Sequence, residues 1–411
     1  MPIRMMMDER RERRVLWLLA AVQFAHVVDF MILMPLGPGF MRLWSLEPSA
    51  FNHLVSVYTV VAGVSGFIAA PWMDRFDRRR MLLWFHGAFC VASLGCALAQ
   101  TPTQLLWARG FSGLAGGLAG TTVMAITGDL VPPARRGAAM GILTTAFSAA
   151  AAMGVPLGLL LAQGLGWQAP FVALAALVAA NGWMLAQMLP PVRAHLAEPA
   201  GPAGIGPMLS LLAQPAVGRG LAFMAVLVFG HFAIIPLLAP HLVGDLGLPE
   251  RAVPLVYMVG GAASAWTGPW IGRLADRHGR QRVFAWLVTA ALPVTLAIAL
   301  PGTMPAWLVV ALAGSYFVFG SGRFVPAQAL LSTTVKARDR GAFMSLTSCV
   351  RDLAGGLSAT IGGALVTRTP SGGLLGYGRL GWLAAASGLL TLWLVWRLRN
   401  VEEAPRAGTA P

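Results

Sequence analysis

Apolar residues run along this chain in long stretches with few charges, not in the alternating or every-third-and-fourth patterns of half-buried strands and amphipathic helices. A helix needs about 20 apolar residues, at about 1.5 Å each, to cross about 30 Å of hydrocarbon. Stretches of that kind fall at 15–40, 51–72, 81–100, 104–130, 138–162, 167–189, 219–243, 252–272, 283–301, 305–330, 341–366 and 378–396. The pattern therefore predicts an all-α membrane protein with twelve transmembrane helices. Residues 190–218 are rich in Pro, Gly and Ala and hold no continuous span. They read as a cytoplasmic linker between an N-terminal six-helix bundle at 15–189 and a C-terminal one at 219–396, with tails at 1–14 and 397–411. The opening MPIRMMMDERRERR leads into an apolar run longer than a signal-peptide core and without a small-residue cleavage site, so the first span is expected to be retained.

The polar interruptions repeat. MDRFDRRR at 73–80 is echoed by GRLADRHGRQR at 272–282, with Asp74 and Asp276 separated by 202 residues. RRGAAMGIL at 135–143 is matched by DRGAFMSL at 339–346, with Arg136 and Arg340 separated by 204. Two similar halves follow, and parallel repeats of this type bind substrate near the midplane while the halves rock around it. Orientation follows from arginine. One side carries Arg4, Arg10, Arg11, Arg13, Arg14, the runs at 75–80 and 273–282, Arg135, Arg136, Arg193, Arg219, Lys336, Arg338, Arg340, Arg397 and Arg399, whereas the other carries only Arg42, Arg251, Arg368 and Arg379. The positive-inside rule places the first group, and both termini, in the cytoplasm.

Composition agrees with the pattern: 57% of the 411 residues are hydrophobic and 11% charged, which excludes an ordinary soluble domain. A net charge of +14 would suit a nucleic-acid partner, but the arginines sit in short loops between apolar stretches and read as topology signals, so none is expected. Cys90, Cys96 and Cys349 lie within apolar segments and offer neither a disulfide framework nor metal-ligand spacing. Met31, Met34 and Met41 invite a soft-metal pathway, yet methionine is an ordinary filler of apolar surface, and no metal or cofactor is expected. There is no phosphate loop, zinc spacing or nucleophile elbow. An enzyme is not expected, and energy must come from an ion gradient.

Ionisable groups inside the membrane cost about 2.5–3.5 kcal/mol each on insertion scales and call for a reason. Asp29 lies roughly 21 Å from the cytoplasmic start of the first span and Arg109 about 8 Å below the outer start of the fourth, which brings both to one depth. A carboxylate beside an arginine stays ionised, and one that loses that contact in a site closed to water takes up a proton. Asp29 and Arg109 thus read either as a proton-coupling pair or as a buried structural pair. Arg351 and Asp352, adjacent near the middle of the eleventh span, diverge by about 100° on a helix and are expected to face different surroundings, in packing, gating or substrate contact. Arg323 near the cytoplasmic end of the tenth span is expected to snorkel to lipid headgroups. His231 in the seventh is a core histidine or a proton relay.

Several of these segments resemble a known family. GRLADRHGRQR is similar to the loop after the second span of each half in the major facilitator superfamily, with Gly272, Asp276, Arg277, Gly279 and Arg280 in matching places. The first copy keeps Asp74, Arg75 and Arg78 but has Asp77 for the glycine and Ala70 for the leading glycine. ARGFSGLAGG at 108–117 resembles the fourth-span motif of proton-coupled members. AAMGVPLG at 151–158, with Gly154, Pro156 and Gly158, resembles the fifth-span motif of antiporters, and FAHVVDFMILMPLGP at 24–38 the first span of bacterial drug and sugar efflux permeases. The resemblance implies proton coupling through Asp29 and Arg109. It also implies a latch in which Asp276 and Arg280 reach across to a neighbouring helix end and hold the cytoplasmic face shut; without it the loop charges are plain topology signals. Pro156 between two glycines predicts a weak point in the fifth span. The expected function is an inner-membrane secondary transporter that exports a small amphipathic drug-like or sugar-like compound in exchange for protons. The alternatives are a proton-coupled uptake symporter and a non-transporting receptor or scaffold. The expected partners are a small-molecule substrate, protons and the lipid bilayer, and the expected state is a monomer.

Overall fold

The computed structural model describes residues 8–73, 75–132, 135–193, 196, 210–336, 339–370 and 372–398. Among them are twelve long helical segments. The first half contains α1 (Glu9–Ile32), α2 (Pro48–Met73), α3 (Arg78–Leu98), α4 (Pro102–Leu130), α5 (Arg136–Ala149 and Val155–Leu165) and α6 (Ala169–Met188). The second contains α7 (Pro215–Ile234), α8 (Val253–His278), α9 (Arg280–Ala299), α10 (Ala306–Tyr316 and Phe324–Ser332), α11 (Arg340–Ala364) and α12 (Tyr377–Val395). Nine helical stretches are by themselves long and apolar enough to cross a membrane. α4, α8 and α11, which carry Arg109, the 272–278 run and the Arg351–Asp352 pair, complete the two sets of six. The outward surface is apolar, with Trp84, Trp183 and Leu160 exposed, as a lipid-facing surface requires.

Local chemistry sets the helix ends. Thr101 caps α4 by accepting from Gln104 N at 3.2 Å, with Pro102 in the first turn. In α5 the backbone passes through a π turn at Ala150–Gly154 immediately before Pro156. Proline has no N–H to donate to the preceding turn, and the wider turn accommodates that gap, so the expected weak point is a local change of helix type. α1 and α7 are built alike. Each stops at an isoleucine, Ile32 or Ile234, and after a proline-containing turn a short helix follows, Gly37–Leu43 or Leu238–Gly244. α1 begins at Glu9, ahead of the expected start at 15, and α7 begins at Pro215, ahead of 219. α8 runs to His278, beyond the expected end at 272, because no breaker intervenes before Gly279. A two-residue hairpin, β1 (Thr367–Arg368) with β2 (Leu374–Leu375), joins α11 to α12.

Both described ends of the chain lie on one face, called here the terminal face. At the opposite face the two halves share one apolar cluster that includes Phe40, Phe51 and Phe171 from the first and Leu238, Tyr316 and Tyr377 from the second. Polar staples reinforce it: Arg42 pairs with Glu250, Arg368 Nη1 donates to the Met41 carbonyl at 2.7 Å, and buried Asn52 Nδ2 donates to the Ala359 carbonyl at 2.7 Å. Nearer the terminal face the clusters separate, one around Leu19, Val123 and Leu185 and another around Phe223, Phe284 and Phe343. The halves also meet along two seams. α2 runs antiparallel to α11, with Cys349 Sγ 3.3 Å from the Gly63 carbonyl, and α8 packs against the π turn of α5 at Gly261 and Ala151.

Candidate functional site

Asp29 and Arg109 meet as their depths predict. Arg109 Nη1 donates to Asp29 Oδ2 at 2.7 Å and to the Asp29 carbonyl at 3.0 Å, and both side chains are 0% exposed. Two contacts bring their helices to this distance. α4 presents Gly113 directly to the Tyr58 backbone of α2, and α5 presents Gly154 to α1, where a Cβ would overlap Val28 Cγ2 and sit 3.1 Å from Phe24 Cζ. Tyr58 lies beneath the guanidinium, 4.7 Å from carbon to ring centroid, a cation–π contact that a desolvated setting strengthens. Its hydroxyl donates to the His26 carbonyl at 3.4 Å. Among the described residues, Asp29 Oδ1 and Arg109 Nε and Nη2 have no hydrogen-bond partner.

The other embedded charges depart from expectation. Arg351 and Asp352 face one another, with Arg351 Nε donating to Asp352 Oδ1 at 3.0 Å. A long arginine can fold back over the 100° between neighbours, so the divergence of their Cα positions does not separate the charges. Arg323 does not snorkel. Its side chain is 6% exposed and its Nε donates to the Gly320 carbonyl at 3.0 Å, because the π turn at Phe317–Ser321 and the turn after it direct the side chain inward. His231 stacks parallel to Tyr316, with centroids 5.8 Å apart and planes 2° apart, and its Nδ1 lies 3.4 Å from the Tyr316 hydroxyl. No group of three His, Cys, Asp or Glu among the described residues could hold a metal ion.

The basic loops act within each half. Arg78 pairs with Asp129 at 2.6 Å and donates to the Ala125 carbonyl at 3.2 Å, while Arg280 donates to the Ala329 carbonyl at 3.0 Å. A cation at the C-terminal end of the next-but-one helix satisfies its orphan carbonyls and its dipole. Asp276 and Arg277 are exposed on the last turns of α8, and among the described residues Asp276 has no partner at a neighbouring helix end; only the arginine of the expected latch makes that reach. Gly272 is half-buried near Val325, at 3.9 Å for a Cβ. The turn itself is Gly279 at φ +91°, a conformation L side chains rarely adopt. Asp77 replaces that turn with a different device: at φ −61° it caps α3, accepting from Arg79 N at 3.0 Å and from Arg193 Nε at 2.7 Å. Burial alone would raise its carboxyl, but these bonds and one from Val192 N hold it below the ordinary carboxylate range. Arg75 is exposed, Gly158 sits against Ile32 of α1, and Asp74 lies outside the described residues.

Several polar groups escaped the sequence reading. His26, His86 and Asn181 form a buried cluster inside the first half, with Asn181 Nδ2 3.4 Å from His86 Nε2 and the two imidazoles 6.0 Å apart. Buried Glu12 pairs with Arg135 at 2.9 Å, and His241 Nδ1 pairs with Asp245 at 2.6 Å. The tyrosines carried a usable signal. The chain has 4, all within or beside apolar stretches, and Tyr58, Tyr257, Tyr316 and Tyr377 are all buried; a phenol in such a setting is normally there for its hydroxyl.

A model of the Major Facilitator Superfamily matches residues 19–359 and, in an overlapping match, 221–411. An uncharacterized MFS-type transporter of Bacillus subtilis, YceJ, is 26% identical over 359 residues, covering 86% of this chain and 90% of its own. A probable sugar efflux transporter of Helicobacter pylori is 23% identical over 367 residues, covering 86% and 87%. Among solved structures, a bacterial homologue of the human lysosomal transporter Spinster superposes with a TM-score of 0.68 at 18% identity, covering 95% of this chain and 96% of its own.

Proposed function

The chain belongs to the major facilitator superfamily, and from that premise we propose that it is a proton-coupled exporter of a small amphipathic compound, in which Asp29 and Arg109 carry the coupling. The observation that carries the reading is the fully buried ion pair between α1 and α4. While the contact holds, Asp29 stays charged. When α1 shifts against α4 as the halves rock and the contact parts, the carboxylate takes a proton, and renewed contact expels that proton on the other side. In this reading the chain works as a monomer in the inner membrane with both termini in the cytoplasm, and the staples at the opposite face, with the separated clusters at the terminal face, support a state closed to the outside. Likeness to a probable sugar efflux transporter supports the outward direction.

The test uses inverted membrane vesicles energised by respiration, with a pH-sensitive dye and a panel of antibiotics, dyes, sugars and organic acids. A compound that releases protons from wild-type vesicles and fails to do so with Asp29→Asn is the expected result. Movement of a compound without protons, or an Asp29→Asn protein that exchanges like wild type, removes Asp29 from coupling. Proton entry together with substrate in right-side-out vesicles would instead make the chain an uptake symporter.

A further inference from the structure

Of the arginines described within the membrane helices, Arg109 and Arg351 each face a carboxylate. Arg323 does not. Its side chain is 6% exposed, its Nε is committed to the Gly320 carbonyl at 3.0 Å, and among the described residues no Asp or Glu pairs with it. The Gly320 that holds it lies against His231 and Tyr316, where a Cβ would sit 3.6 Å from the Tyr316 ring and 3.8 Å from His231 Nδ1, with Phe324 edge-on to the His231 ring at 5.3 Å. A guanidinium held in the bilayer interior without a counter-charge is among the costliest placements a side chain can have, and such charges mark substrate pathways.

Its position gives that cost a purpose. Rings run in contact from the coupling pair to Tyr316, one helical turn from Gly320: Tyr58 to Phe30 at 5.5 Å, Phe30 across the interface between halves to Phe232 at 5.8 Å, Phe232 to His231 at 5.9 Å, and His231 to Tyr316 at 5.8 Å. His231 also stands 202 residues from Asp29, each three residues before the end of its helix, so the two occupy equivalent places in the two halves. The first half fills that place with a compensated acid, the second with a neutral-capable ring beside an uncompensated cation. We propose that Arg323 binds the carboxylate of the transported compound, and that this compound is a small aromatic acid whose ring packs against the Phe232–His231–Tyr316 wall. The two Nη donors form a planar fork that matches a carboxylate. The inference rests on the transporter reading and supplies its substrate class.

The experiment measures saturable binding of radiolabelled benzoate to the purified full chain, with competition by a series of aromatic acids, their matched amides, and chloride. Acids are expected to compete and amides not to. Arg323→Gln should lower affinity about 10- to 100-fold, the worth of a charge-assisted contact, and Arg323→Lys should retain the preference for acid over amide at reduced affinity. Absence of saturable binding, equal competition by amides, displacement by chloride but not by aromatic acids, or a well-folded Arg323→Gln that binds as wild type each overturns the proposal. Should Arg323→Gln elute as aggregate on size exclusion, Arg323→Lys decides: loss of the preference for acid over amide overturns the proposal. Proton exchange in vesicles with non-acidic compounds only would sink the acid site and leave the transporter. Arg323-dependent binding with no compound moving in vesicles would sink the transporter and leave the site.

Discussion

Replacing Asp29 with Asn tests whether the ion pair distinguishes the two states of the molecule or only pins α1 to α4. In the structure both partners are 0% exposed and the guanidinium has one carboxylate, so the substitution leaves Arg109 buried and uncompensated. Breaking one side of a buried pair costs about 3–5 kcal/mol. If the pair parts and Arg109 reaches water when the halves rock, the other state does not bear that cost, and the balance moves toward it by the same amount, roughly two to nearly four powers of ten. A wild type sitting about 99:1 in the closed-outside state, about 2.7 kcal/mol, would then favour the open one. The assay is the distance between spin labels on Leu43 and Leu375, which are 54% and 66% exposed on the opposite face of the two halves, in a background without Cys90, Cys96 and Cys349. The expected outcome is a longer-distance population in Asp29→Asn that the double variant Asp29→Asn/Arg109→Gln largely reverses. A thermal-stability loss of several kcal/mol with an unchanged distance distribution would refute the reasoning and leave the pair a structural pin.

Three further outcomes check other parts of the structure. Gly154→Ala should destabilise the protein by about 1–3 kcal/mol, as overpacking does, because the new methyl meets Val28 and Phe24; thermal unfolding equal to wild type would show that α1 and α5 are not in close contact. Glu250→Gln removes an ion pair whose side chains are 53% and 43% exposed, so its effect on unfolding should stay below about 1 kcal/mol, and a loss several times larger would mean that the pair holds the opposite face shut. Asp77 is held below the ordinary carboxylate value of about 3.9, so its contribution is complete above that value and is lost only as pH falls through the folded one. Hydrogen-exchange protection at Arg79 and Val192, corrected for intrinsic rate, should be constant from about pH 7 to 5 and fall throughout in Asp77→Ala, by about 0.5–2 kcal/mol for a lost cap; a decline in wild type between pH 7 and 5 would contradict this.

The length of an apolar run reports a membrane helix well, because backbone satisfaction in lipid leaves few other structures. That is why the helices lie where the runs lie, and why the discrepancies are at ends such as Glu9 and His278, where polar residues continue a helix out of the apolar zone. Depth arithmetic along two helices sufficed to join Asp29 to Arg109, since each position depends only on residue count. Direction around the axis is less legible. The short distance of Arg323 from its helix end favours a reach for headgroups, but the π turn before it reorients the side chain, and a π turn leaves no reliable mark in one sequence. The Arg351–Asp352 contact was missed for a related reason: helical angle describes Cα–Cβ directions, and a long side chain can defeat it. The partners of Asp129 and Asp77 are not legible, because single acids at helix ends look like solvated charge until the partner loop is placed.

The two proposals together separate export from uptake through the membrane potential. If Asp29 carries one proton inward while Arg323 releases one carboxylate outward, each cycle moves two elementary charges in the same sense. Each charge is worth about 2.3 kcal/mol per 100 mV, so exchange gains about 4.6 kcal/mol per 100 mV, interior negative. Uptake of the same acid with one proton moves no net charge and gains nothing from the potential. Proteoliposomes given a potassium diffusion potential with valinomycin, at equal pH inside and out, isolate this quantity. Export predicts benzoate movement driven by the potential alone and reversed when its sign is reversed, with Arg323→Gln abolishing it. Movement of benzoate that needs both Arg323 and Asp29, follows a pH gradient and ignores the potential would reject export and show that the carboxylate at Arg323 and the proton at Asp29 travel together.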